Sequence, residues 1–389
     1  MRHVPILCSF LAAAGLLACG GSSPSGTTGA FRAAAPTFAK LAISQNDSDT
    51  VEPSAGNDAV VSEDTGAATP DCHPHLFART DEIIGRVNRH FRKLLHHVED
   101  VIEDNPLTDG QTKTFENVRA GLDRKFTITR TANADGSLTF DFELDIAAIP
   151  ASGTLAFVKV MSGSINHIGP LDTDSPDAGG SEQLVEDKGT VTFDFTALAT
   201  VQTNERARGQ ITDTFDNLRD PAKGVKRSAS IALTNFVPEE GDRHGPRNGT
   251  FTWLREPGIG GEFQFQDTEV LFCLRNPAGE QSDLTTAARW YNASDGAVHA
   301  RADARATGGQ LAAGEQWLGV TCAKGRTNSA PAEGFWMMKL EDSTGATAAV
   351  RLAQNGVEPC DPVFGAVPSA TDNKTDYDFT APVTFPGEF

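Results

Sequence analysis

The chain has 389 residues, and 52 acidic against 33 basic side chains give it a formal charge of −19 at pH 7. Such a composition offers no basic surface to bind phosphates, so nucleic acid is excluded as a partner. An apolar share of 39% and a charged share of 22% are ordinary for a globular protein and exclude disorder over the whole chain.

The N-terminus has the pattern of a secretory signal peptide. Arg2 and His3 precede an apolar run from Val4 to Ala18, which is too short to cross a bilayer as a helix. The run ends in Leu16-Leu17-Ala18-Cys19, where the chain resembles bacterial lipoproteins, although Leu17 departs from the small or β-branched residue usual at its position. The resemblance implies that residues 1–18 are removed and that Cys19 becomes the lipid-bearing N-terminus.

The same resemblance implies where the protein resides. Cys19 would carry two acyl chains on its sulfur and usually a third, such as palmitate, on its amino group. Each buried methylene contributes about 0.8 kcal/mol, so several chains anchor a protein stably to a membrane. Gly20 stands where Asp often retains a lipoprotein at the inner membrane, which favours the outer membrane of a bacterial envelope. The alternative is a cleaved signal followed by an unmodified cysteine.

Residues 19–71 are predicted to be a disordered, lipid-anchored tether. The stretch opens with Gly20-Gly21-Ser22-Ser23-Pro24 and stays rich in Ala, Ser, Thr, Asp and Pro, so it buries too little apolar surface to offset the entropy of ordering it. As a flexible coil it would reach about 40 Å. The apolar residues scattered from Phe31 to Ile43 are assigned no structure.

Four cysteines remain for disulfides once Cys8 and Cys19 are set aside: Cys72, Cys273, Cys322 and Cys360. An even number in an exported chain predicts two disulfides, and three pairings are open. Cys72 with Cys273 and Cys322 with Cys360 is the favoured pairing, because the last two flank neighbouring predicted strands. No C-x-x-C spacing favours zinc or a redox pair.

The folded region is predicted to open with a long amphipathic helix. Apolar residues recur at steps of three and four from Ile84 to Val101, Asp81 and Glu82 favour the helix start, and Asn105-Pro106 stops it near Asp104. The wide apolar stripe favours packing across the protein's own sheet, while a coiled-coil partner is the alternative.

Period-two alternation follows the helix. It is clearest from Leu138 to Ile146, after a predicted hairpin turn at Asn133 to Gly136, and it recurs in about a dozen segments. The other predicted strands include Val191 to Ala199, Val225 to Phe236, Phe251 to Leu254, Phe263 to Leu274, Ala288 to Tyr291, Val298 to Ala306, Gln316 to Cys322, Phe335 to Leu340 and Ala348 to Ala353.

The fold class is therefore mainly β with one long helix, as a large antiparallel sheet, a sandwich or an open barrel on which the helix packs. A loop-like stretch from Asn276 to Ser282 suggests a domain of residues 72–275 and a C-terminal β region of residues 283–389, either separate or continuous with it.

Motifs for catalysis and cofactors are absent: the chain has no G-x-S-x-G, H-E-x-x-H, P-loop or Rossmann pattern, so no cofactor and no catalytic residue is predicted. Isolated His167, His244 and His299 are expected to be surface residues. Three clusters offer weak metal-ligand patterns, and each is more simply explained without a metal: Cys72-His73-Pro74-His75, the helix residues His96, His97 and Asp100, and the loop residues Asp172, Asp174 and Asp177.

Three functions remain open. The first is a non-catalytic structural or binding role as a lipid-anchored envelope protein, with another envelope protein as a partner. The second is a carrier of lipid or another apolar ligand in a Phe-lined groove that the helix covers. The third is a hydrolase whose active site is assembled from distant residues. The oligomeric state is not determined by the sequence.

Overall fold

A computed structural model describes residues 35–36, 38–43, 76–104, 112–169, 184–238, 246–269, 282–292, 297–309, 311–326 and 332–354. The predicted signal peptide, Cys19 and most of the predicted tether lie outside these residues. Among the described helices, none is both long enough and apolar enough to cross a bilayer.

The described chain confirms the prediction of a mainly antiparallel β fold. Its strands form one sheet in which every strand pairs with its neighbours in sequence, from β1 at one edge to β14 at the other. The strands are β1 (Thr112–Arg119), β2 (Leu122–Ala132), β3 (Leu138–Ala148), β4 (Val158–Ile168), β5 (Val185–Asp194), β6 (Arg208–Asp220), β7 (Gly224–Val237), β8 (Arg247–Glu256), β9 (Gly260–Glu269), β10 (Ser282–Asn292), β11 (Ala297–Thr307), β12 (Gln316–Arg326), β13 (Ala332–Glu341) and β14 (Thr347–Gln354).

Three helices accompany the sheet: α1 (Phe38–Leu41), α2 (Leu76–Asp104) and α3 (Phe195–Val201). Helix α2 begins several residues before the predicted start and ends just before Asn105-Pro106. The α3 segment was predicted to continue a strand, which is wrong. Asp194 ends β5 and caps the helix, because its Oδ1 accepts a hydrogen bond from the Ala197 amide at 2.8 Å.

The sheet curls around α2. The helix contacts β1 and β2 near one edge of the sheet and β10, β11 and β12 well towards the other. Between them, the Phe91 ring lies 5.1 Å from the Phe193 ring of β5. We call the face that contacts α2 the inner face. Its core consists largely of Phe, Ile, Leu and Val side chains that are almost completely buried.

Glycines make room for aromatic rings on this inner face. Phe142 pairs with Gly163 across β3 and β4, and Trp290 pairs with Gly261 across β9 and β10. A Cβ atom on Gly163 would lie 2.7 Å from the Phe142 ring, and one on Gly261 would come even closer to Trp290. The missing side chains therefore let large rings lie flat against the concave surface.

The two domains suggested by the sequence share one sheet. Strands β9 and β10 flank the predicted boundary at Asn276 to Ser282 and pair along their length, from Ser282 with Glu269 to Tyr291 with Gly260. Strand β4 was not among the predicted strands. The predicted turn at Asn133 to Gly136 is confirmed, with the Gly136 amide donating to the Asn133 carbonyl.

Replacing Phe91 by Ala tests how much the helix–sheet contact contributes. Phe91 is fully buried against Phe193, so we expect the free energy of unfolding, measured by urea denaturation, to fall by about 3–5 kcal/mol. Arg89→Ala, on the exposed side of the same helix, should change it by no more than about 0.5 kcal/mol. Equal losses in the two variants would contradict this packing.

Candidate functional site

Polar side chains cross the apolar inner face in a line. Each residue lies directly opposite the next on the neighbouring strand, and all occupy the buried phase of their strands. We call this set the inner polar row: His167 of β4, Asp187 of β5, Asn217 of β6, Arg227 of β7 and Arg255 of β8. Five polar groups in adjacent buried positions mark this part of the sheet as the candidate site, because buried polar groups need partners and are costly without them.

His167 and Asp187 form the best-defined pair of the row. The His167 Nδ1 atom lies 2.7 Å from Asp187 Oδ1, and the histidine is 3% exposed. Burial by itself would raise the pKa of Asp187, but the hydrogen bond from His167 and the charge of Lys40 outweigh it and lower that pKa. The ionised carboxylate makes Nδ1 the donor, and Nε2 is buried on the other side of the ring.

The Nε2 atom of His167 has no hydrogen-bond partner among the described residues. A histidine oriented by a carboxylate resembles part of a catalytic triad, but within the described chain no hydroxyl or thiol is hydrogen-bonded to it. The prediction that His167 is a surface residue is wrong, because β4 places it in the buried phase of the strand beside Ile165.

A segment from the predicted tether docks on this row. We call residues 38–43 the docked segment; Leu41, Ala42 and Ile43 are each at most 2% exposed. Lys40 Nζ lies 3.2 Å from Asp187 Oδ2, and the Lys40 carbonyl accepts a hydrogen bond from Asn217 Nδ2 at 3.0 Å. This part of the predicted tether is therefore folded against the sheet.

Helix α2 holds the other end of the docked segment. Asn88 accepts a hydrogen bond from the Ile43 amide at 2.9 Å and donates one to the Ile43 carbonyl at 2.7 Å. One side-chain amide thus satisfies both polar groups of a buried backbone residue. The docked segment is fixed to α2 at Ile43 and to the sheet at Lys40.

Asp213 is a second unusual group on the inner face. It lies on β6 between Ile211 and Phe215, opposite Val191 of β5 and Ile231 of β7. Its carboxyl group is fully buried, and neither oxygen has a hydrogen-bond partner within the described residues. Burial raises its pKa to about 8, so the group is mostly protonated at pH 7.

The cleft between α2 and strands β7 and β8 is small. It holds only about 30 Å³ that a water molecule can reach, room for one or two waters, and is lined by Ile83, Val87, His90, Leu233, Phe236 and Phe251, with Arg86, Pro238 and Arg247. His90 fills its base, with ring nitrogens 2.7 Å from the Arg86 carbonyl and 3.2 Å from that of Pro238. Burial lowers the pKa of His90, which favours the neutral ring.

The weak metal candidates on α2 contact arginines of the sheet. Arg119 donates to Asp100 at 2.8 Å, and Arg124 donates to His97 Nδ1 at 3.0 Å, while His96 is largely exposed 3.6 Å from Asp100. Burial and the Arg124 charge lower the pKa of His97 to about 4. The arginines thus offset the acidic C-terminal end of the helix, and the described residues contain no group of three potential metal ligands.

The remaining predicted site residues fall elsewhere. Asp172, Asp174, Asp177, Cys72, Cys273 and Cys360 lie outside the described residues, as do Cys19, His73, His75 and His244. Cys322 is buried on β12 and is disulfide-bonded, while the proposed pairing with Cys360 stays a prediction. His299 is partly buried and stacks on Tyr291, with ring centroids 5.1 Å apart, so its expected surface position is only partly right.

Beside His299, the outer face of β9 to β11 holds a buried ionic network. Arg301 binds Asp303 through two hydrogen bonds of 2.8 Å, and Arg289 lies 3.7 Å from both Asp303 and Glu262. Arg289, Arg301 and Asp303 are at most 2% exposed. Both faces of this part of the sheet are therefore buried, and opposite charges compensate each other within it.

Comparison with known proteins gives no family for this arrangement: the chain matches no protein-family model, no curated protein and no solved structure.

Sequence reasoning missed the inner polar row and Asp213, although a signal was present. Asp213 stands where the alternation of Ile211 and Phe215 calls for an apolar residue, and His167 does the same after Ile165. A polar residue in the buried phase of a strand is such a signal. The partners of these residues depend on strand register, which the pattern of one strand does not give.

Asp213→Asn tests the buried acid. Because the pKa is about 8 in the folded chain and ordinary in the unfolded chain, folding retains a proton that unfolding releases. The wild-type free energy of unfolding should therefore fall, relative to the variant, by ~1.4 kcal/mol per pH unit between about pH 4 and 8 and no further above that. Urea denaturation at a series of pH values measures the difference. A difference that does not vary with pH would show that Asp213 is solvated.

Proposed function

We propose that the protein is an exported, lipid-anchored envelope protein with a non-catalytic binding or structural role. The observation that carries this proposal is the packing of the inner face: among the described residues, α2 and the docked segment cover its buried apolar core, and the cleft between α2 and strands β7 and β8 is too small for a small-molecule substrate. The lipobox-like sequence ending at Cys19 supports the anchor, and the disulfide at Cys322 supports an oxidising compartment.

The accessible surface for binding is then the outer face of the central strands. Two pairs of threonine hydroxyls bridge β5 and β6 there, Thr190 with Thr214 at 3.2 Å and Thr192 with Thr212 at 3.1 Å. Ser230 and Thr252 continue the first pair across β7 and β8 in register. This uncharged hydroxyl surface differs from the acidic character of the chain as a whole, and it suits a partner that offers hydrogen bonds rather than charge.

Metabolic labelling with a palmitate analogue tests the anchor. We expect the wild-type chain to incorporate label and to fractionate with membranes, because acylated Cys19 is the proposed attachment point. Cys19→Ala should lose both properties, while Cys8→Ala, inside the predicted signal peptide, should keep them. Labelling that persists in Cys19→Ala, or that is absent from the wild-type chain, would contradict the anchor.

A carrier of apolar ligands is the second candidate, favoured by the Phe-rich inner face and by two buried groups that have no hydrogen-bond partner among the described residues, the Asp213 carboxyl and His167 Nε2. Each unsatisfied group costs about 1–3 kcal/mol in the closed form, which would lower the cost of moving α2 away from the sheet.

Mass spectrometry of the protein after mild extraction separates the two candidates. The binding or structural role predicts no stoichiometric lipid other than the acyl chains of Cys19, because the described inner-face core is packed against α2. One lipid or fatty acid per chain, reduced by an inner-face variant such as Ala302→Trp and unchanged by the outer-face variant Thr252→Trp, would instead establish the carrier.

A further inference from the structure

The docked segment is held by specific side-chain contacts. Its contacts divide into two kinds: Asn88 and Asn217 bind backbone groups, and Asp187 binds the Lys40 ammonium. The aliphatic side chains of Leu41 and Ile43 join the inner-face core. Backbone contacts hold any peptide, whereas the Lys40 and aliphatic contacts select a sequence.

The charges at this site are complementary. Asp187 is largely buried, and it is flanked by the His167 hydrogen bond on one oxygen and by Lys40 on the other. Removing Lys40 would leave a largely buried carboxylate without its ammonium partner, which is unfavourable. The site is therefore matched to a cationic residue followed by aliphatic ones.

The stretch of sequence that connects the docked segment to α2 contains no apolar run. Some 32 residues, rich in Ser, Asp, Gly and Ala, separate Ile43 from the start of α2. For a coil of that length, which the composition predicts, the free-energy cost of loop closure is only a few kcal/mol and rises slowly with length. The covalent connection to α2 also keeps the segment at an effective concentration near the millimolar range beside its site.

We propose that the end of the inner face formed by Asn88, Asp187 and Asn217 is a peptide-binding site for a lysine-aliphatic-x-aliphatic segment, and that residues 38–43 occupy it in cis. The bound segment acts as a strap that folds the N-terminal linker back onto the sheet.

The strap sets the distance between membrane and sheet, a consequence that rests on the proposed acylation of Cys19. The 18 residues between Cys19 and the docked segment would reach about 20 Å as the flexible coil that the sequence predicts, against about 40 Å from Cys19 to α2 when the segment is released. Docking therefore holds the sheet close to the membrane, and release roughly doubles its reach.

Binding of a labelled peptide to the mature chain tests the site. The peptide carries residues 34–45, and the protein variant Lys40→Glu/Ile43→Asp has its own segment displaced; urea denaturation confirms that the variant is folded. Fluorescence anisotropy should show that this variant binds the peptide at least tenfold more tightly than the wild-type chain, whose site is occupied. A peptide with Lys40→Glu should bind at least tenfold more weakly. A folded variant that binds both peptides alike, or neither, overturns the proposal.

Proteolysis provides a second measurement on chains that keep their own segment. Trypsin cleaves after Lys40 only when the segment leaves its site, so the cleavage rate reports the released population. Asn88→Ala and Asn217→Ala should each raise that rate at least fivefold, while Asn248→Ala, on the exposed outer side of β8, should not change it. Unchanged rates in the first two variants overturn the proposal. Neither measurement depends on acylation, so a failed anchor and a failed docking site are distinguishable.

Discussion

The described structure depends on one constraint: the apolar face of its long antiparallel sheet must be shielded from water. The described strands form a single meander, and a meander of this length curls because each strand twists relative to its neighbour. The curl creates a concave face of Phe, Ile and Leu side chains, and α2 fills it from β1 and β2 across to β12. Glycines opposite Phe142 and Trp290 let the rings fit beneath the helix, so curvature and packing depend on each other.

The core also contains polar side chains, and most of them have identifiable structural roles. The buried Arg124 has a structural explanation, since it donates to His97 of α2, and at the edge of the core the largely exposed Arg119 pairs with Asp100. Asp187 and Asn217 bind the docked segment. Asp213 has no such partner within the described chain, and its protonated state is the least costly form of a carboxyl in an apolar site.

The docked segment shows that part of the N-terminal linker belongs to the folded region. A chain rich in Gly, Ser and Ala is expected to be a featureless spacer, yet a short stretch around Lys40 and Ile43 completes the core of the folded region. In the proposed mechanism, the linker has two effective lengths, one with the segment docked on the sheet and one with it released. The position of a membrane-anchored sheet would then depend on a local equilibrium involving a few hydrogen bonds and one ion pair.

The sequence by itself determined the local features: the apolar stripe of α2, the alternation of the strands and the turn at Asn133 to Gly136, because each follows from residues close together in the chain. It misassigned Phe195, where alternation continues but the Asp194 cap starts a helix, and it did not predict β4, which carries His167 in a buried position. Only the tertiary structure decided that Lys40 meets Asp187, that Ile43 meets Asn88 and that His167 is buried. Those contacts join residues far apart in sequence through strand register and sheet curvature, which no local pattern encodes.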